Sequence, residues 1–259
     1  MIDIAQHGDA LYSALRERRT LSPLTDREPG ITIDHAYQIS RHLLARRLRD
    51  GERVVGKKTG VTNKVVQVAL GVDQPDFGYL TDAMSFEDGA ELPISTLLIA
   101  PRAEGEIAFV LERDLVGPGV SASEVLAATA YVQACFEIVD SRIADWKIRI
   151  QDTIADNASS GMFVLGSTKV PPRGVDFVTC GMVVWKNGEL LSTGAGAAAL
   201  GSPLNAVAWL ANTLGERGEP LRAGEVILSG SLVPLEPVRA GDRMELRIAG
   251  IGEARVRFG

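Results

Sequence analysis

Cysteine and histidine, which mark many redox, zinc and proteolytic sites, are scarce in this chain of 259 residues. The two cysteines, Cys135 and Cys180, each stand inside an apolar stretch. This predicts small buried side chains rather than a disulfide, and a reducing compartment. The three histidines, His7, His35 and His42, all precede residue 43. A Ser-His-Asp triad and a histidine-rich zinc site are therefore not expected, and acid–base chemistry falls to lysine, carboxylates or metal-bound water.

Long hydrophobic runs and excess positive charge are also missing. No run approaches the roughly 18 apolar residues of a membrane helix, and the first seven residues lack the basic start and apolar core of a secretory signal. The net charge of −6 and the pI of about 5.2 argue against nucleic acid or an acidic membrane as a partner. We therefore expect a cytoplasmic protein that binds neither.

The 27 glycines do not form the motifs of nucleotide or ester chemistry. No G-x-G-x-x-G leads from a strand into a helix, no G-x-x-x-x-G-K-[ST] occurs, and no G-x-S-x-G is present. Nucleotide binding and serine-esterase chemistry are therefore not expected.

Periodicity predicts an α+β protein. Apolar residues at helical spacing predict helices over residues 4–19 and from Thr32 or Asp34 to about residue 49, separated by a loop that includes residues 22–25. Beyond residue 53 short strands dominate, including a hairpin that turns at Asn187-Gly188 and three strands within residues 225–258. The absence of regular strand–helix alternation argues against doubly wound and TIM folds. We predict an N-terminal helical arm, residues 1–52, packed on a β-rich catalytic body, residues 53–259.

Three glutamates lie within segments that are otherwise mostly apolar. Glu104 and Glu106 are two apart in a strand-like run, so they share one face, about 7 Å apart. Glu137 interrupts a second run that otherwise reads as buried, and Gly105 leaves room for another backbone or a ligand. One interpretation is the solvated face of an amphipathic strand. The other is a site for a hard divalent cation, which all-oxygen ligands favour over zinc.

Lys58 and Asp76 are the remaining candidates for chemistry. Lys57 and Lys58 end a predicted strand, so they face opposite ways and one should point inward. Adjacent lysines are more commonly both solvated. Asp76 follows Pro75, a context in which aspartate ordinarily forms a turn.

Together the segments resemble the 2-hydroxypenta-2,4-dienoate (2-oxopent-4-enoate) hydratases of the fumarylacetoacetate hydrolase superfamily. The resemblance implies a fumarylacetoacetate-hydrolase-like mixed β-roll or barrel body. Seven ordered motifs carry it: V-G-K-K-T-G-V-T at 55–62, G-V-D-Q-P-D-F-G at 71–78, E-G-E at 104–106, E-I-V-D-S-R at 137–142, D-T-I-A-D-N-A-S-S at 152–160, P-L-N-A-V-A-W-L-A-N at 203–212 and L-S-G at 228–230.

The resemblance implies that the protein adds water to 2-hydroxypenta-2,4-dienoate, giving 4-hydroxy-2-oxopentanoate in the meta-cleavage degradation of aromatic compounds. It implies a homo-oligomer that binds a small-molecule substrate and could associate with another enzyme of the pathway. The implied site comprises metal ligands for Mg²⁺ or Mn²⁺ (Glu104, Glu106, Glu137), catalytic residues (Lys58, Asp76) and substrate-binding residues (Thr62, Ser160, Ser229). The three hydroxyl residues could equally support the surrounding structure.

Three alternatives compete with hydration, of which two are other reactions and one is a non-catalytic role. A 2-oxo-3-hexenedioate (4-oxalocrotonate) decarboxylase would use the same metal. Asp76 argues against it, because hydration needs a base for water and decarboxylation does not, and the hydratase-like segment I-A-D-W at 143–146 agrees. C–C hydrolysis is disfavoured because no histidine follows His42, and the intact carboxylates argue against a non-catalytic partner. Ser202 and the loop 231–235 depart from the family pattern, which leaves substrate preference open.

Overall fold

The computed structural model describes residues 2–259, which contain eight α-helices and thirteen β-strands. The helices are α1 (Ile4–Glu17), α2 (Leu24–Arg27), α3 (Ile33–Arg49), α4 (Lys64–Leu70), α5 (Ile94–Leu97), α6 (Ala122–Ala128), α7 (Ile150–Ala155) and α8 (Pro203–Gly215). The strands are β1 (Val54–Gly60), β2 (Asp76–Thr81), β3 (Ser85–Glu87), β4 (Glu91–Leu92), β5 (Arg102–Leu111), β6 (Thr129–Val139), β7 (Ser160–Leu165), β8 (Gly181–Lys186), β9 (Glu189–Ala195), β10 (Val226–Leu228), β11 (Glu236–Pro237), β12 (Arg243–Ile248) and β13 (Gly252–Phe258). The α+β prediction is confirmed.

Two long helices begin the chain, as predicted. Thr32 caps α3 in a reciprocal capping box with His35, so the first of the two proposed caps is correct. The predicted loop at residues 22–25 is partly wrong, because Leu24 begins the short helix α2. Thr25 donates both its backbone N–H and its hydroxyl to Asp152, a partner 127 residues away that local sequence signals do not reveal.

The larger sheet carries eight strands in the order β2-β1-β10-β5-β6-β7-β3, with β11 paired to the end of β5. Strands β2 and β7 stand five places apart in this order, yet they contact each other. The sheet is therefore strongly curled, and its concave face forms an interior. Leu80, Ala108, Cys135, Phe163 and Leu228 form a small apolar cluster there.

The smaller sheet, β4-β13-β12-β8-β9, packs against the other face of the large one. The contact explains Gly105: a side chain there would collide with Met182 and Leu246 of the smaller sheet. Another backbone also approaches Gly105, as predicted: Leu232 donates its N–H to the Gly105 carbonyl at 3.0 Å. The hairpin turn at Asn187-Gly188 is confirmed, with positive φ at both residues. Residues 225–258 form four strands rather than the predicted three, because the two-residue strand β11 is too short to show an alternating hydrophobic pattern.

The N-terminal helices share the main apolar core with both sheets. Leu11, Ile39 and Leu43 are buried in the same cluster as Phe109 and Phe136 of the larger sheet. The division of the chain at residue 52 stays a prediction. Among residues 2–259, no helix is both long and apolar enough to cross a membrane.

Candidate active site

The antiparallel pairing of β5 with β6 brings the three glutamates together. Glu104 is the direct cross-strand partner of Glu137, and Glu106 lies one step further on the same face. One carboxylate oxygen from each residue lies within 4.8 Å of the others. All three therefore project from the concave face toward one point.

The carboxylates of this cluster lack ordinary partners. Glu106 and Glu137 are buried, and Glu106 Oε1 and both oxygens of Glu137 accept no hydrogen bond. The second oxygen of Glu106 accepts the backbone N–H of Gly230 at 2.7 Å. Buried acceptors without donors are costly unless a cation satisfies them. The donor set therefore fits a hard divalent cation, for which carboxylate oxygens are the preferred ligands.

Within residues 2–259, Lys58 supplies the one ammonium group at the cluster. Its Nζ lies 3.1 Å from Glu137 Oε1, and the side chain is 3% exposed. Burial alone would lower the pKa of Lys58, but Glu137, Asp76, Glu104 and Glu106 together raise it above its ordinary value. Lys58 is therefore held as a cation.

Lys57, next along β1, is buried on the opposite face. It donates to both carboxylate oxygens of Glu225, at 2.6 and 2.8 Å. One lysine, Lys58, points toward the cluster as predicted, but Lys57 is buried as well, so neither side chain is solvated. Lys57 can be buried because the carboxylate of Glu225, 168 residues away, pairs with its charge.

Asp76 is the first residue of β2 rather than a turn former. It is the cross-strand partner of Gly60, it is 1% exposed, and neither of its carboxylate oxygens accepts a hydrogen bond. Burial raises the pKa of Asp76 to about 6, against the opposing charge of Lys58. A carboxyl group with a pKa in this range can both accept and release a proton near neutrality.

The pKa values of two glutamates in the cluster are raised as well. Burial, followed by the charge of Glu137, raises the pKa of Glu104 to about 8 and that of Glu106 well above its ordinary value. Four carboxyl groups, counting Asp76, thus share one ammonium group. The raised pKa values reflect unbalanced negative charge, which a divalent cation would offset.

The three predicted substrate-binding residues lie in different settings. Thr62 lines a cavity that opens on Lys58, Asp76 and Glu104. Ser160 donates its hydroxyl to the backbone carbonyl of Asn157, and Ser229 donates to that of Ile107, each at 2.8 Å. Neither serine lines the cavity. Thr62 is therefore the member of the set that can reach a ligand directly.

The cavity, of about 430 Å³, has walls that sequence reasoning did not assign. Thr153 and Ser159 line it, and their hydroxyl oxygens are 3.3 Å apart. Ser159 belongs to a turn, Asn157 to Ser159, in which three successive residues have positive φ. The side chain of Asn157 secures this turn by pairing with both backbone groups of Tyr79. The motif at 152–160 signalled the segment, but its left-handed turn could not be read from it.

Other motif residues hold the strands in place. Asp140 accepts backbone N–H groups of Ile99 and Ala100, immediately before β5. The Arg142 guanidinium donates to the carboxylate and backbone carbonyl of Asp156. These buried pairs fix the ends of the two glutamate-bearing strands.

Residues 53–258 match the family described as fumarylacetoacetate (FAA) hydrolase C-terminal. The chain belongs to the fumarylacetoacetate hydrolase family. A 2-hydroxyhexa-2,4-dienoate hydratase of Comamonas testosteroni is 57% identical over 98% of this chain and 97% of its own length. A 2-hydroxypent-2,4-dienoate hydratase of Pseudomonas putida is 66% identical over 83% of this chain and 97% of its own length.

Among solved structures, a 4-oxalocrotonate decarboxylase from Pseudomonas putida G7, complexed with magnesium and adipate, is similar over 99% of this chain and 97% of its own. The TM-score is 0.95 at 36% identity. The resemblance to the hydratases and the fumarylacetoacetate-hydrolase-like fold are therefore confirmed, as is the hydro-lyase class of the enzyme.

Proposed function

We propose that this protein adds water to 2-hydroxypenta-2,4-dienoate to give 4-hydroxy-2-oxopentanoate, in the meta-cleavage degradation of aromatic compounds. One observation carries the proposal: the glutamate cluster reaches, through Glu104, the cavity that is also lined by the buried Asp76, whose carboxylate oxygens accept no hydrogen bond. The cluster suits a 2-oxo acid held on a metal, and the extra carboxyl group suits activation of water. Relatives named as hydratases, at 57% and 66% identity, support the same reaction.

Glu104, Glu106 and Glu137 would hold the metal, Mg²⁺ or Mn²⁺. The similar decarboxylase structures contain magnesium or calcium, both of which prefer oxygen ligands. When bound, the ion supplies Lewis-acid stabilisation of negative charge at the 2-oxo oxygen of the substrate.

The remaining steps belong to side chains of this chain. The dienol takes a proton at C5 and loses its enol O–H proton, the hydroxyl of water adds at C4, and C3 takes a proton that replaces the one lost by the water, so that one water molecule is added overall. Asp76 accepts the proton of the attacking water. Lys58, held as a cation, stabilises the developing negative charge or delivers the proton to C3. Thr62 would orient the substrate from the cavity wall, while Ser160 and Ser229 would act indirectly, by fixing the backbone around it.

The competing activity is decarboxylation of 2-oxo-3-hexenedioate, because the chain is also similar in fold to a 4-oxalocrotonate decarboxylase. Purified protein with Mg²⁺ should be offered both substrates, with ultraviolet absorbance and released CO₂ followed together. We expect loss of dienoate absorbance with formation of 4-hydroxy-2-oxopentanoate, and little CO₂. Faster release of CO₂ from the hexenedioate than hydration of the pentadienoate would make the decarboxylase the correct function.

Replacing Lys58 by methionine separates its two electrostatic effects. We expect kcat to fall by about a hundredfold or more, which is typical for loss of an acid–base group. We expect Mg²⁺ to bind as tightly as before or more tightly, because a positive charge has left the carboxylate cluster. Calorimetry with Mg²⁺ and steady-state kinetics measure the two quantities.

Lys57→Met is the matched control, since Lys57 is on the same strand but faces away from the cluster. Its loss should lower thermal stability, by leaving Glu225 without its partner, and should leave Mg²⁺ affinity near that of the wild type. A Lys58→Met effect confined to KM would limit Lys58 to substrate binding.

We also propose a cytoplasmic homo-oligomer, which could associate with another enzyme of the pathway. The edge strand β9 supports self-association: Leu190 is 63% exposed and Leu191 is 37% exposed. Exposed apolar edge strands are ready templates for pairing with another chain. Light scattering on the purified protein would reveal a monomer if this proposal is wrong.

A further inference from the structure

Part of the wall of the active-site cavity is apolar. Val139, Trp146 and the loop segment 232–235 contribute to it, and Lys58, Asp76 and Glu104 are its charged residues. Among the described residues that line this cavity, Lys58 is the one cation, and it already faces Glu137. A ligand that binds with one carboxylate at the glutamate cluster therefore finds no second cation in the described cavity wall.

A second cation lies beside this wall but does not line the cavity. Arg102 is on the same face of β5 as Glu104, and its cross-strand partner is Val139, a residue of the cavity wall. The guanidinium carbon of Arg102 lies 4.6 Å from the centre of the Trp146 ring. Trp146 lines the cavity, whereas Arg102, whose guanidinium stacks on the ring, does not. Arg102 forms no ion pair with any carboxylate in residues 2–259.

The backbone around Trp146 is held in an uncommon conformation. Both Asp145 and Trp146 have positive φ, at 57° and 56°. Non-glycine residues rarely adopt this region, and they keep it only where surrounding contacts enforce it. The indole N–H donates to the backbone carbonyl of Ala100 at 3.1 Å, and the ring stacks on Arg102. These two contacts fix the ring over the guanidinium.

We propose that Trp146 determines substrate specificity by screening Arg102 from the cavity, so that the site selects 2-hydroxydienoates whose C5 end is bare or carries an alkyl group, and rejects dicarboxylates. This rests on the proposed function only in placing the 2-oxo acid end of the ligand at the glutamate cluster. A second carboxylate would be desolvated against the indole without a cationic partner, which weakens binding. A methyl group at the same position gains apolar contact.

Two unreactive ligands test the proposal by binding alone. 2-Oxohexanoate and 2-oxohexanedioate share the 2-oxo acid end and differ by a terminal methyl against a carboxylate. Calorimetry on the Mg²⁺-loaded full-length protein should show that the wild type binds the monoacid at least about tenfold more tightly, in the range expected for one group in a matched pocket. Trp146→Leu should reduce this preference at least tenfold, by uncovering Arg102. Trp146→Phe, which keeps an aromatic ring at this position, should retain the preference of the wild type for the monoacid.

Arg102 provides the decisive control. In the double variant Trp146→Leu/Arg102→Met, the gain in dicarboxylate binding should disappear. An unchanged preference in Trp146→Leu, or a gain that survives Arg102→Met, would overturn the proposal. So would a wild-type protein that binds both ligands equally, a result that needs no folded variant. Hydration of 2-hydroxypenta-2,4-dienoate, measured separately, reports on the proposed function, because the ligand preference is read without turnover.

Discussion

Glu106→Gln should abolish the dependence of this protein on a divalent cation together with its activity. We expect kcat/KM to fall by at least about a thousandfold, because Lewis-acid stabilisation contributes several kcal/mol to such a transition state. Glutamine keeps the shape of the side chain but removes one of three converging negative charges. Calorimetric titration with Mg²⁺ should show affinity at least a hundredfold weaker than that of the wild type.

The same variant has an opposite effect on stability without metal. Burial raises the pKa of Glu106 well above its ordinary value, so burying this carboxyl group lowers the stability of the metal-free protein at neutral pH, where the unfolded chain has it ionised. We therefore expect Glu106→Gln to melt at the same temperature as the wild type or higher in the presence of chelator. Mg²⁺ should raise the melting temperature of the wild type but not of the variant.

Glu112→Gln is the matched control for this experiment. Glu112 follows the last residue of β5 and is exposed, so its replacement should leave Mg²⁺ affinity, activity and melting temperature near wild-type values. A Glu106→Gln variant that remains fully active, or that binds Mg²⁺ as the wild type does, would remove the metal assignment.

The part of the site that follows from strand alternation could be predicted from the sequence. Glu104 and Glu106 share a face because two residues of one strand must, whatever the rest of the fold does. Glu137 joins them only through the register of β5 against β6, which places it opposite Glu104. A shift of one residue would have turned it toward the apolar core. No local pattern specifies that register, and the motif resemblance anticipated the outcome.

Two features of the site depend on partners that local sequence signals do not reveal. Pro75 marks a turn, yet Asp76 starts a buried strand opposite Gly60, whose missing side chain leaves room for the carboxylate. Trp146 lines the cavity from a backbone conformation with positive φ, which the local sequence does not predict.

Asp76→Asn should suppress hydration while leaving the metal centre intact. The amide keeps the shape of the side chain but cannot accept the proton of water, and loss of a general base typically lowers kcat by 10²- to 10⁴-fold. We expect about a thousandfold loss, with Mg²⁺ affinity within a few-fold of the wild type. Exchange of substrate protons at C3 and C5 with deuterated water should persist, because those steps do not require activation of water. Nuclear magnetic resonance follows the exchange, and ultraviolet absorbance follows hydration.

Asp73→Asn, in the exposed turn just before β2, should leave every one of these quantities unchanged. Retained hydration in Asp76→Asn would rule out the base role.

Gly60→Ala tests the position of the same carboxyl group from the neighbouring strand, because an added methyl group would overlap Asp76 Oδ1 and displace it. Displacements on the order of 1 Å can cost about a hundredfold in rate, so kcat should fall by that order while Mg²⁺ still binds. Gly30→Ala adds the same methyl group where nothing lies within 4 Å, and its kcat should match that of the wild type. A base that works only from one position should respond to both its chemistry and its placement, whereas a structural aspartate should tolerate the conservative Asn replacement.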